Sequence, residues 1–221
     1  FYNQPNQIYG LDTDEHYLSF LDNPVMAARS EWLGKLLSKD AEDPILSVII
    51  FSMTETALLF SSFAILKSFQ SNGYNLIPVT VRGTNQSAID EDLHGQITAE
   101  IINTYYHELG KKLADDTVRV KKIYEAVQYA YEHECALIDE AMLEETLNRV
   151  SKEDFRNFVK IRLNLWLERI GLAPAFVVGE CQIEEWFGKN TYAYKVIDFF
   201  SAGMGMEYES SWNEEGFMSA W

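Results

Sequence analysis

One apolar run limits what this chain can fold into. Ile45, Val48, Ile49, Phe51, Leu58, Leu59, Phe63, Ile65 and Leu66 recur at helical spacing behind Asp43-Pro44. That start pairs an N-cap side chain with proline at the first helical position. A helix so apolar is stable in water only when other elements cover it. The stretch from Pro44 to Phe63 is no membrane span, because Ser47, Ser52, Thr54 and Glu55 interrupt it.

Further helices are expected as its cover. Asn23-Pro24 opens an earlier one, with Val25, Ala28, Trp32 and Leu36 in register. Asn72-Gly73 stops the apolar helix, Pro78 sits in a short joint, and Arg82 to Leu109 reads as a third helix ended by Gly110. Asp115-Asp116-Thr117 caps a fourth, from Val118 to about Arg149. Ser151-Lys152-Glu153-Asp154 has the form of a capping box and starts a fifth through Phe155, Phe158, Val159, Leu163, Trp166 and Ile170, ended by Gly171. No alternating strand pattern exceeds a few residues. An all-α bundle around one core follows, and 13 Phe, 12 Tyr and 5 Trp are enough to fill it. After Cys181 the periodicity weakens, so residues 1–200 are expected to form the helical domain and 201–221 a flexible tail.

Charge and cysteine content exclude other classes. Eighteen basic against 34 acidic residues give a net charge of −16, which disfavours nucleic acid and membrane surfaces as partners. Two cysteines, Cys135 and Cys181, cannot form a disulfide scaffold; they are expected to be inert thiols in a cytoplasmic protein.

Two features carry chemistry. Glu55 stands inside the apolar helix with Phe51, Ser52, Leu58 and Leu59 three and four positions away. A buried carboxylate needs a partner, a proton or a metal; a polar residue on a partly exposed stripe is the plain alternative. Glu91 and His94 form the only Glu-x-x-His of the chain and share a helix face. Bundle di-metal proteins combine a lone Glu from one helix with a Glu-x-x-His from the next, twice over. Carboxylates with imidazole and no thiolate suit iron or manganese. Glu55 with Glu91 and His94 is half of such a set. His16, His107 and His133 show no matching spacing.

Order and spacing together resemble a known family. The segment Ile89-Asp90-Glu91-Asp92-Leu93-His94 resembles the Arg-Asp-Glu-x-x-His segment of the class I ribonucleotide reductase small subunit. Glu55, with Phe63 eight residues later, is similar to that family's preceding metal helix, and Gly73 to Pro78 to its Gly-Leu-x-Pro joint. Asn23-Pro24 to Trp32 and Arg162 to Gly171 also look like family segments, so the resemblance runs from about Tyr9 to Tyr208.

The resemblance implies a ferritin-like bundle whose di-nuclear iron, or manganese–iron, reacts with oxygen to make a radical for ribonucleotide reduction, the step that supplies deoxyribonucleotides for DNA replication. Glu55, Glu91 and His94 are the implied ligands of one metal, with Glu91 bridging to the second; Asp90 is an implied radical-transfer residue. The family's first ligand helices, which end in the radical tyrosine, have no counterpart before Tyr2. The fold is therefore expected to be incomplete at its N-terminus, with an N-terminal half supplying the other ligands. Tyr2 is then either the radical tyrosine or a core aromatic. Pro5 would disturb a helix carrying it, and Ile89 replaces the family's arginine. Implied partners are a second small subunit and the large catalytic subunit. Phe217 and Trp221 in the tail would dock on the latter, with Tyr208 as the interface tyrosine. Two other readings stay open: another ferritin-like di-metal oxidase, and a non-enzymatic acidic helical module. The last requires Glu55 to be exposed and the three side chains to lie apart.

Overall fold

The computed structural model describes residues 3–38 and 42–192. They form a helical bundle. A short α1 (Asn3–Ile8) and α2 (Asp14–Leu18) lead into α3 (Pro24–Leu36). The apolar run forms α4 (Pro44–Met53) and α5 (Leu59–Ser68), joined without a break by a π-helical segment, Thr54–Leu58. Then come α6 (Pro78–Glu108), α7 (Thr117–Ala141), α8 (Lys152–Arg169) and α9 (Gln182–Tyr192). All-α architecture is what the periodicity predicts.

The caps are those read from the sequence. Asn23 Oδ1 accepts from the backbone N–H of Val25 and Met26, and Asp43 Oδ1 from that of Leu46, each ahead of a proline at the first helical turn. Ser151 and Asp154 exchange the two bonds of a capping box. Gly110 and Gly171 follow α6 and α8 with φ of +66° and +78°, a conformation that ends a helix and suits glycine.

Three expectations change. Pro78 belongs to α6 rather than to a joint: it occupies the first turn, where its absent N–H costs nothing. α7 ends at Ala141, not near Arg149. Residues 146–151 turn back as a two-stranded antiparallel hairpin pairing Thr146 with Ser151 and Leu147 with Val150, with Asn148 and Arg149 at positive φ in the turn. Pro5 lies in the opening turn of α1, a position that tolerates proline. The apolar helix is not uniformly α-helical, as the π segment shows. Tyr2, Tyr208, Phe217, Trp221 and the whole 201–221 segment lie outside the described residues.

α8 runs through the middle of the core. Trp166, Leu163 and Leu167 are fully buried against Ile49, Ile50, Met53 and Leu58, and α7 adds Ile123, Val127 and Ile138. Trp166 Nε1 donates to Ser52 Oγ at 2.7 Å, which satisfies both buried polar groups. The apolar helix of residues 44–68 has the length and composition of a membrane span, yet 67% of its most apolar window is buried inside the bundle. Its apolarity is used by the core.

Candidate metal centre

Two helices bring the predicted carboxylates and histidine together. Glu55 leaves the π segment, and Glu91 and His94 leave α6 one turn apart. His94 Nδ1 lies 3.2 Å from Glu55 Oε2 and 2.9 Å from Glu91 Oε2. One ligand atom from each of the three falls within 4.8 Å of the others. Adjacent donors around an ion held at about 2.1 Å are roughly 3 Å apart. The spacing, two carboxylates and one imidazole fit one oxygen- and nitrogen-bound metal ion.

The electrostatics of the cluster are those of a cation site. Burial, then the facing Glu91 carboxylate, pushes Glu55 up to about 7. Burial also pushes Glu91 upward, but hydrogen bonds with Glu55 and His94 outweigh it and hold Glu91 below the usual range. The hydrogen bond to Glu91 raises His94. Like charges at this spacing share protons, and the space between His94 Nδ1 and the two carboxylates is where a cation would stand. Of the two carboxyls only Glu55 is raised; hydrogen bonds with Glu55 and then His94 stabilise Glu91 in its charged form.

The centre is not interior, as a closed bundle would have it. The Glu55 side chain is 12% exposed, but that of His94 is 54% exposed. Val48 and Phe51 on α4, and Leu93, Ile97 and Ile101 on α6, are also exposed. They run at helical spacing from Glu55 and His94, so the cluster opens onto an apolar face. Asp90 is exposed, and its side chain makes no hydrogen bond or ion pair with another described residue.

Three residues that motif reading passed over surround the centre. Asp92, inside the Glu-x-x-His, is buried and accepts from Arg169 Nη2 at 2.7 Å and from Gln96 Nε2 at 2.6 Å. Arg162 on α8 donates through Nε to Thr56 O of the π segment at 2.8 Å. Gly95 lets α6 approach Thr56: a Cβ there would overlap Thr56 Oγ1 and lie 3.3 Å from Thr56 Cβ. A signal for Asp92 was present. It falls on the stripe Ala88, Asp92, Gly95, Ala99, Ile102 and Tyr106, which is the buried face of α6.

No curated protein matches the chain significantly. The family model for the ribonucleotide reductase small chain matches residues 2–182. That match takes in every helix from α1 through α8, including both that carry the cluster, and the chain belongs to the ribonucleotide reductase small-chain family.

Proposed function

We propose that this chain provides one half of the metal shell of a ribonucleotide reductase small subunit, the subunit that makes the radical its large-subunit partner uses to reduce ribonucleotides. The observation that carries the reading is the convergence of Glu55, Glu91 and His94 from two helices inside that family match. The reading as a non-enzymatic module required an exposed Glu55 and separated side chains; Glu55 is only 9% exposed and the three converge.

The residues have distinct tasks. Glu55 and Glu91 provide negative charge at low solvent exposure, so they bind a cation more strongly than surface acids do. His94 Nδ1 gives up its proton to become a donor, and Glu55 gives up its own. When bound, two iron ions, or manganese with iron, supply one-electron oxidising power drawn from oxygen. The second lone Glu and the second Glu-x-x-His are proposed to come from helices outside this sequence that pack on the apolar face of Phe51, Leu93, Ile97 and Ile101. The terminal segment is proposed to dock on the large subunit through Phe217 and Trp221, with Tyr208 in radical transfer.

Anaerobic ferrous titration tests the half-site. The chain alone is expected to bind iron weakly and to give no stable tyrosyl radical when oxygen is admitted. Glu55→Gln, Glu91→Gln and His94→Ala each abolish the binding. A stable radical from the isolated chain, or a variant that binds like the parent, would overturn the reading. For the tail, a peptide of about the last dozen residues should compete with the assembled small subunit for the large subunit, and Phe217→Ala with Trp221→Ala should remove that competition.

A further inference from the structure

The π segment gives Glu55 its place, and its hold on the rest of the bundle is specific. A π turn replaces the regular i→i−4 ladder over one turn; here Leu59 N–H reaches back to Thr54 O. Such turns widen the helix and persist only where the surroundings support them. Thr56 O accepts from Arg162 Nε at 2.8 Å. Arg162 is itself buried, and its guanidinium lies 3.6 Å from the Phe60 ring centroid, on the face of the next turn.

The same guanidinium faces the other ligand helix. Arg162 Nη2 is 3.6 Å from Asp92 Oδ1, and Arg169, two turns further along α8, donates to that oxygen at 2.7 Å. Asp92 is 3% exposed and directly follows Glu91. A buried carboxylate–guanidinium cluster hydrogen-bonded in this way has one good geometry and resists sliding. α8 thus grips the backbone that carries Glu55 with one arm of Arg162, and the helix that carries Glu91 and His94 with the other.

We propose that Arg162 is a positioning residue for the metal centre: with Asp92 and Arg169 it fixes the distance and phase between the π turn and α6, so that Glu55, Glu91 and His94 reach one ion. The proposal rests on the metal reading above and adds residues that touch no metal. Lysine cannot replace arginine here. A single ammonium cannot hold Thr56 O and Asp92 in two directions as the guanidinium fork does.

The test compares the full chain with Arg162→Lys and with Ile138→Ala, a core truncation on α7 away from the centre. Cobalt(II) is the probe, read by its visible absorption. Arg162→Lys should weaken cobalt binding by roughly 10- to 100-fold and change the spectrum, as loss of groups that orient ligands does. Ile138→Ala should lose stability yet bind cobalt with the parent affinity and spectrum. Amide hydrogen exchange across residues 54–60 is the metal-free readout. It should speed up in Arg162→Lys beyond its rise in Ile138→Ala. Parent-like cobalt affinity and spectrum in Arg162→Lys overturn the proposal. If the parent chain takes up no cobalt, the metal reading fails, and the exchange data alone decide whether Arg162 holds the π turn: unchanged exchange refutes it.

Discussion

Gly95→Ala will lower the stability of this protein, while Gly34→Ala will raise it. Both glycines lie within helices, where alanine is intrinsically better by about 1 kcal/mol. Gly34 on α3 has nothing within 4 Å of an added Cβ, so the helical preference acts alone and the gain should be about 0.5–1 kcal/mol. At Gly95 the methyl group would overlap Thr56 Oγ1 and meet Arg169 Nη1 at 3.5 Å. Thr56 is β-branched and fully buried, so it cannot swing away. α6 must then move off the π segment. Overpacking of this kind costs about 1–3 kcal/mol, enough to exceed the helical gain. The displaced helix carries His94 and Glu91 away from Glu55, so cobalt affinity falls as well. Urea denaturation with metal titration on both variants checks the pair. Equal shifts of one sign would show that α6 does not need this close approach.

Helix positions and the cluster of Glu55, Glu91 and His94 were legible in the sequence because each depends on local spacing. Proline after Asn23 or Asp43 marks a start whatever the rest of the chain does, and Glu55 stood out against its apolar neighbours. The π segment was not legible. Thr54-Glu55-Thr56-Ala57-Leu58 is as acceptable to an α-helix, and what holds the wider turn is Arg162, 106 residues away in sequence. The hairpin after α7 was hidden for a related reason: Glu144, Glu145 and Leu147 suit a helix, and the turn is set by Asn148 and Arg149 in positive φ. Other residues were missed although their signal was present. Asp92 falls on the apolar stripe of α6, and Glu134 on the stripe Ile123, Val127, Ala130, Glu134 and Ile138 of α7. The periodicity that exposed Glu55 as an anomaly applies to them equally; in acid-rich helices an inward-facing acid is easily overlooked among solvated ones.

Glu134→Leu will be among the most damaging single substitutions in the bundle, and adding Arg29→Met will repair most of the damage. Glu134 is completely buried. Its Oε1 pairs with Arg29 Nη1 of α3 at 3.0 Å, and its Oε2 accepts from Ser61 Oγ of α5. His133 Nδ1 lies 4.0 Å from the same carboxylate, while its Nε2 faces Val25 O at 2.7 Å. Three helices are therefore tied at one carboxylate. Leucine would leave the Arg29 charge without its partner, and the Ser61 hydroxyl with only Leu58 O to donate to. Breaking such a pair costs about 3–5 kcal/mol, and the lower end applies because the Arg29 side chain keeps 14% exposure. For a chain of this size that lowers Tm by on the order of 10 °C. Replacing both charges with apolar groups removes the uncompensated cation, so the double variant should regain most of the loss and give a coupling of about 2 kcal/mol. Its pH dependence is also fixed in sign. The neighbouring Glu134 carboxylate, ahead of the opposing effect of burial, raises His133 above its ordinary 6.5. A raised histidine adds stability that is fully present below pH 6.5 and is lost as pH climbs through the folded-state value. Glu134→Leu removes that contribution, so the gap between parent and variant should be widest below pH 6.5 and narrow as pH rises. Thermal unfolding of the parent, both single variants and the double between pH 5.5 and 8.5 measures each of these; a cost under about 1 kcal/mol, or a gap that widens with pH, would show that Glu134 does not hold the three helices together.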